Sequence, residues 1–223
     1  MQYRFTADWF SNQIPIWEEH LSDLRGKPSI RFLEIGSFEG RSTCWLLDNI
    51  LTHPDSIITC IDTFSELKKE QLEKHGEFWG INPPYPHNIN VEEIFDYNIQ
   101  ATGSPQKVNK LKGKSQRLLR NLPFEHFNGV YIDGSHLAAD VLSDAILAWP
   151  LLKEDGILLF DDWGLDMYRD PKNNPRTAIE SFMKVFEGSF EALHKGWQVI
   201  IRKTSERPVA ELADIAFGLS ASS

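Results

Sequence analysis

Apolar and polar positions alternate along this chain in blocks of two kinds, helical and strand-like. Trp9, Phe10, Ile14, Trp17, Leu21 and Leu24 recur at roughly helical intervals, and Gly26-Lys27-Pro28 stops the pattern. This predicts an N-terminal helical segment over residues 1–28. A short apolar run at 31–35 follows, then a helix carrying Trp45, Leu46, Ile50 and Leu51, then Ser56 to Asp62 as a buried second strand. The three make a βαβ unit. Residues 64–90 break the rhythm: the charged run Glu66 to Lys74 gives way to Phe78-Trp79-Gly80-Ile81-Asn82-Pro83-Pro84-Tyr85-Pro86, which is too proline-rich for a helix or a central strand. The segment reads as an insertion, or lid, over a ligand cleft.

Alternation then resumes. The pattern predicts a helix near 91–101, a strand near 107–112, a short helix from Ser115 and an apolar strand ending at Asp133. Val141, Ala145, Ala148 and Leu152 keep helical spacing, and Gly156 to Phe160 forms the next strand. Asn174-Pro175 reads as N-cap and first helical residue of a helix buried through Ile179, Phe182, Met183 and Phe186. Phe190 to His194 and Trp197 to Lys203 flank Lys195-Gly196 as a hairpin. Repeated βα steps require a parallel sheet, so the expected architecture is α/β, a seven-stranded, mostly parallel sheet with helices on both faces and an antiparallel hairpin at its C-terminal end. One domain accommodates the whole chain. Val209 to Leu219 reads as a helix that docks on its own core or on a second copy of the chain as a homodimer, and 220–223 as a frayed end.

The first strand runs into Glu34-Ile35-Gly36-Ser37-Phe38-Glu39-Gly40-Arg41-Ser42-Thr43. A strand ending in a glycine turn against a helix N-terminus brings bare backbone N–H groups up to a ligand. A dinucleotide fingerprint needs glycines at relative positions one, three and six. Here Phe38 fills the third position and Gly40 stands at the fifth. Glu34 also sets a negative charge where a pyrophosphate would lie, which favours a cationic ligand without phosphate such as S-adenosylmethionine.

At these residues the chain resembles a known family. Glu34-x-Gly36-x-x-x-Gly40 is similar to motif I of the class I S-adenosylmethionine-dependent methyltransferases. Tyr131-Ile132-Asp133-Gly134-Ser135-His136 with Phe160-Asp161-Asp162-Trp163 resembles the small-molecule group related to macrocin O-methyltransferase. The resemblance implies a Rossmann-like methyltransferase fold and a cofactor site drawn from Glu34, Gly36, Ser37, Gly40, Ser42, Asp62, Ser115 and Asp133. Gly36 and Gly40 would let the methionine part of the cofactor lie against backbone, with Glu34 orienting the loop or reaching the amino group through water. Asp62, 22 residues past Gly40, stands where an acid accepts ribose hydroxyls. Ser115 is either an adenine contact or only a helix cap.

Asp133, Asp161 and Asp162 end two strands expected to be neighbours, and clustered acids repel one another unless a cation joins them. The resemblance implies that these three hold Mg²⁺ or another divalent ion, which binds substrate oxygens and lowers the pKa of a bound hydroxyl. His136 is the candidate general base, with Asp133 beside it as a catalytic acid residue. In part of the group the residue two past the strand-end acid is itself acidic, whereas here it is Ser135, so the base is left open. Trp79, Tyr85, Trp163 and Tyr168 either wall an acceptor pocket or are plain packing.

Composition narrows the partners. The chain of 223 residues carries a net charge of −9, against nucleic acid or an anionic membrane as the main partner. A small-molecule acceptor is expected. Two cysteines, Cys44 and Cys60, lack a metal or disulfide spacing and read as buried thiols in a reducing compartment, and the N-terminus has no apolar leader, so a cytoplasmic enzyme is expected. The expected activity is methyl transfer, most simply to oxygen. A metal-dependent, hydroxylase-like chemistry on the same scaffold, and a cofactor-binding protein without turnover, are the alternatives.

Overall fold

A computed structural model of the chain describes residues 2–205 apart from 78, 82, 85 and 86. Tyr85 and the expected helix at 209–219 lie outside the described residues.

The elements follow the hydrophobic pattern. A 3₁₀ turn at Ser11–Gln13 leads into α1 (Ile14–Leu21), and a second turn at Ser22–Leu24 ends the N-terminal segment before β1 (Arg31–Ile35). Then come α2 (Arg41–Asn49), β2 (Ile57–Asp62), α3 (Lys69–His75), α4 (Val91–Ala101), β3 (Val108–Lys112) and α5 (Ser115–Leu118). The chain continues through β4 (Phe127–Ile132), α6 (Ala138–Ala148), β5 (Leu152–Phe160), α7 (Pro175–Val185), β6 (Phe190–Lys195) and β7 (Val199–Lys203). The seven strands form one sheet in the order β3-β2-β1-β4-β5-β7-β6. The pairings from β3 to β5 are parallel and both pairings of β7 are antiparallel.

Side-chain alternation divides the core between the two faces of the sheet. Leu33, Ile35, Val130, Ile132, Leu158 and Phe160 face α6 and α7, where Ala145, Ile179 and Phe182 meet them. Phe32, Ile58, Cys60, Tyr131, Leu159 and Ile200 face α1, α2 and α4, through Trp17, Leu46 and Phe95. Full burial of side chains of this size contributes roughly 1.5–3 kcal/mol each, so the two-sided cover stabilises the central strands most. Cys44 and Cys60 are both buried thiols.

The structure corrects four details. The charged run in the insertion forms α3, anchored by buried Leu72, and an antiparallel bridge between Leu67 and Ile89 ties the ends of the insertion together. Leu152 does not extend α6: the helix ends at Ala148, Pro150 sits in a 3₁₀ turn, and Leu152 opens β5. Proline lacks the N–H that would continue the helical ladder and its ring crowds the preceding turn, so it ends the helix here. Asn174 occupies the N-cap of α7 without a capping bond. Its Oδ1 instead accepts from the Met167 and Tyr168 amides, fixing the loop after β5. The hairpin connection spans Gly196–Gln198, closed by Gly196 N donating to Gln198 O. No helix among the described residues is long and apolar enough to cross a membrane.

Candidate active site

The parallel strands β1, β2, β4 and β5 end at one edge, where α/β sheets bind ligands. A cavity of about 900 Å³ lies there. Gly36, Asp62, Asp133, His136, Asp161 and Asp162 all line it, and so do Trp9 and Asn12 of the N-terminal segment, Leu67, Trp79 and Ile81 of the insertion, and Met167 and Trp197 on the far side.

The motif I loop is held from inside. Glu34 is fully buried and accepts from Ser42 Oγ at 2.5 Å and from the Thr43 hydroxyl. Burial pushes its carboxyl above the ordinary range, and these hydroxyls oppose the shift. Glu34 and Ser42 therefore pin the start of α2 to the sheet, which is the loop-orienting role. Gly40, at φ +81°, is the residue before α2, and a Cβ there would stand 3.0 Å from Phe95 Cδ2. Gly36, at φ +89°, cannot carry a side chain at all: a Cβ would lie 1.9 Å from the Asp133 carbonyl oxygen. The side of Gly36 that a side chain would occupy is thus filled by the backbone just past β4, while Gly36 itself lines the cavity. Ser37 is 2% exposed and its Oγ has no hydrogen-bond partner. It borders a small hollow shared with Gly36, Phe38 and Asp133 beneath the loop.

Asp62 ends β2 with its carboxylate in the cavity. Its Oδ2 accepts from Phe38 N at 2.8 Å and its Oδ1 from Phe64 N at 2.6 Å, so it clamps the loops after β1 and β2. Thr63 Oγ1 also donates to Oδ1, at 3.4 Å, while Oδ2 keeps a second lone pair and so acceptor capacity toward a ligand. Ser115 is the first residue of α5, after an N-cap at Lys114, and its hydroxyl opposes the rise that burial imposes on the Asp144 pKa. Ser115, Glu34 and Gly40 are not among the described residues lining the large cavity.

The N-terminal segment straps the loop from outside. Thr6 donates its N–H and its hydroxyl to the buried Glu39, Arg41 Nε donates to Ala7 O, and Arg41 pairs with Asp8 at 3.2 Å. Trp9 packs on Phe38 with ring centroids 5.1 Å apart and donates Nε1–H to Trp79 O at 2.7 Å, joining strap to insertion across the cavity mouth.

The acids meet because β4 and β5 are adjacent, with Ile132 opposite Phe160. The donor set that comes together differs from the expected one. Single ligand atoms of Asp133, His136 and Asp162 lie within 4.8 Å of one another. His136 Nε2 is 3.1 Å from Asp162 Oδ2. Asp161 is not a member of this group, though it lines the same cavity: Tyr131 Oη donates to its Oδ2 at 2.5 Å, and Asp162 N donates to its Oδ1 at 2.8 Å. Asp162 has φ +62°, a conformation costly for a non-glycine residue and concentrated at functional sites. Burial, then the charges of Asp161 and Asp162, push the Asp133 carboxyl well above its usual range. Burial and Asp162 raise Asp161 to about 6. The bond to Asp162 raises His136 above the ordinary imidazole value.

Of the four aromatic residues weighed as pocket walls, Trp79 lines the cavity. Trp163 packs against the α6–α7 core with Arg176 and Lys195 over its ring, and neither it nor Tyr168 is among the described lining residues. Trp9 and Trp197 line it instead, as does Met167; all three come from distant segments, and no local pattern marks them. Tyr131 was legible in principle, because residue i−2 on a strand shares the face of Asp133.

The residues fit the implied groups. The orphaned Ser37 hydroxyl and the open side of Asp62 offer polar contacts to a cofactor along the loop. Two carboxylates and an imidazole in one cluster are a donor set for a divalent cation, with Mn²⁺ accepting the nitrogen more readily than Mg²⁺.

A family model described as a methyltransferase domain matches residues 33–163. No curated protein matches the sequence significantly. Solved structures share its fold. A putative O-methyltransferase from Klebsiella pneumoniae is 15% identical with a TM-score of 0.61, over 89% of this chain and 82% of that one. The O-methyltransferase TomG from Streptomyces achromogenes, in complex with S-adenosylmethionine, is 17% identical with a TM-score of 0.59, over 86% and 80%. MycE of the mycinamycin biosynthetic pathway, in complex with Mg and S-adenosylhomocysteine, is 15% identical with a TM-score of 0.58, over 89% of this chain and 51% of MycE. The family match covers more than half of the sequence and includes the motif I loop, Asp62 and all three strand-end acids, and on it this chain belongs to the methyltransferase-domain family.

Proposed function

We propose that the protein transfers a methyl group from S-adenosylmethionine to a hydroxyl of a small molecule, with a divalent cation held by Asp133 and Asp162. The observation that carries this is the convergence of Asp133, His136 and Asp162 on one side of a cavity that also contains the Asp62 carboxylate. When bound, the cofactor supplies an activated methyl on a good leaving group, and a cation supplies positive charge that makes an acceptor hydroxyl easier to deprotonate. The protein aligns and deprotonates. Gly36, the Ser37 hydroxyl and Asp62 hold the cofactor along the first two strand ends. Trp9, Trp79 and Trp197 exclude water and orient the acceptor's apolar part, and alignment of this kind lowers the barrier without chemistry of its own. His136 takes the acceptor proton: with Nε2–H donated to Asp162, Nδ1 is left as the accepting nitrogen. A cavity of about 900 Å³ has room for a cofactor and a small acceptor together, which supports a small-molecule substrate. Two buried thiols suit a reducing compartment such as the cytoplasm.

One observation favours a second role for His136, since one of its ring nitrogens belongs to the metal-donor group. The two roles separate in His136→Ala. Loss of a base lowers the rate at saturating metal and flattens its rise with pH. Loss of a ligand raises the metal concentration required. The function itself is tested by methyl transfer from labelled cofactor over a library of hydroxyl acceptors, in chelator and after adding Mg²⁺ or Mn²⁺. Turnover that needs the metal is expected. Full activity in chelator removes the metal from the reading, and labelled cofactor consumed without a methylated product removes the transfer.

A further inference from the structure

We infer that Tyr131 is a positioning residue that withdraws Asp161 from the metal-donor group and orders the other acids, and that Trp17 and Gln198 set its direction. The inference rests on the metal reading proposed above. Tyr131 is the next-to-last residue of β4, between Glu34 of β1 and Leu159 of β5, and is 1% exposed. Its ring packs edge-on against Trp17 of α1 at 4.8 Å, and its hydroxyl reaches along the sheet face to the strand ends.

With Asp133 and Asp161 both ionised, the hydrogen bonds there have one consistent direction. Trp17 Nε1 can only donate, and it lies 2.7 Å from Gln198 Oε1. That fixes the amide of Gln198, which is fully buried, with its NH₂ toward Tyr131, where Nε2 donates to Oη at 3.4 Å. The phenol oxygen therefore receives from the sheet interior and sends its one proton outward. Two carboxylate oxygens lie within reach, Asp161 Oδ2 at 2.5 Å and Asp133 Oδ2 at 3.0 Å. The shorter bond goes to Asp161, whose other oxygen is already engaged by the Asp162 amide. Each oxygen of Asp161 thus accepts from a protein donor, which fixes the direction of the carboxylate, and its bond to the Asp162 amide steadies the left-handed backbone of Asp162, whose Oδ2 meets His136. Asp161 and Tyr131 act as one unit behind the donor set, as partners that orient metal ligands do.

The test is Mn²⁺ binding to the full chain, by calorimetry and by the loss of the free-ion resonance signal. Tyr131→Phe keeps the ring that packs on Trp17 and removes only the hydroxyl. It and Asp161→Asn should each weaken Mn²⁺ about 10-fold, and the double variant no more than either alone, because the two residues work through each other. Asp133→Asn and Asp162→Asn should each cost about 10-fold more than that. A merely structural role for Tyr131 would lower the melting temperature and leave the affinity of the folded protein unchanged, which overturns the inference. So does an Asp161→Asn cost equal to that of Asp162→Asn, a comparison that stands even if Tyr131→Phe does not fold. Wild-type protein that binds no Mn²⁺ at millimolar concentration overturns the metal reading, and the inference with it.

Discussion

At the scale of single residues, two carboxylates show how position decides what a charge does. Asp62 holds two backbone amides and keeps acceptor capacity toward the cavity. Asp62→Ala should therefore weaken S-adenosylhomocysteine binding about 10- to 100-fold, the worth of about 1.5–3 kcal/mol of charge-assisted hydrogen bonds. Calorimetry checks this, and an unchanged affinity takes Asp62 out of the site. Asp144, on the buried side of α6, does the opposite. It is 1% exposed and its Oδ1 has no partner. Burial raises its pKa from 3.8 to about 6, against the opposing bond from Ser115. The folded state thus keeps the Asp144 proton to higher pH than the unfolded chain, so this group costs stability as pH climbs from about 4 to about 6 and the cost persists above. Asp144→Asn should stabilise the protein by roughly 1–3 kcal/mol at pH 7 and by nothing near pH 4. Urea denaturation at the two pH values decides it, and an equal effect at both would refute the assignment.

At the scale of elements, the turn from β1 to α2 carries the most constraint in the molecule. The turn is fastened to β2 by Asp62, to the sheet interior by Glu34, and to the N-terminal strap by Glu39 and Arg41. Gly36 is the point where it touches β4, with no room for even a methyl group. Gly36→Ala should push the loop off the end of β4 and destabilise the fold by about 3 kcal/mol or more, combining overpacking with a left-handed alanine. Chemical denaturation measures the loss, and a variant of wild-type stability would show that the loop adjusts freely. The substitution is thus expected to impair binding by displacing the loop and Asp133 together, not by filling the ligand's space. Glu34-x-Gly36-x-x-x-Gly40 was readable as a ligand turn, since glycines before a helix start announce an unusual backbone. That the obstruction is the Asp133 carbonyl could not be read, because it depends on how closely two strands 97 residues apart approach.

At the scale of the whole molecule, the cavity is assembled from a sheet edge, an N-terminal strap, an insertion and the C-terminal hairpin, each contributing one wall. The sheet order places the residues proposed to hold the cofactor at the ends of β1 and β2 and the acids at the ends of β4 and β5, so the two halves of the proposed site are separable. Saturating S-adenosylhomocysteine should raise the melting temperature through mass action, by about 2.7 kcal/mol at 100 times its dissociation constant. Chelator should leave that shift intact. A melting shift that disappears in chelator would place the metal with the cofactor and not with the acceptor.

The sequence by itself determined the succession of strands and helices, the glycine turn, and the presence of acids at the ends of β2, β4 and β5, because hydrophobic period and turn chemistry are local properties that any chain with these residues expresses. It placed Asp133, Asp161 and Asp162 at one edge but could not rank them. The ranking depends on Tyr131, Gln198 and Trp17, which lie on three separate elements and meet only when the hairpin β6–β7 closes beside β5 and α1 covers the sheet. Tertiary structure likewise chose Trp9 and Trp197 as walls over Trp163, and His136 over Asp161 as a member of the donor group. Hydrogen-bond direction and the distance between non-adjacent strands exist only in the packed molecule, so these choices were decided there.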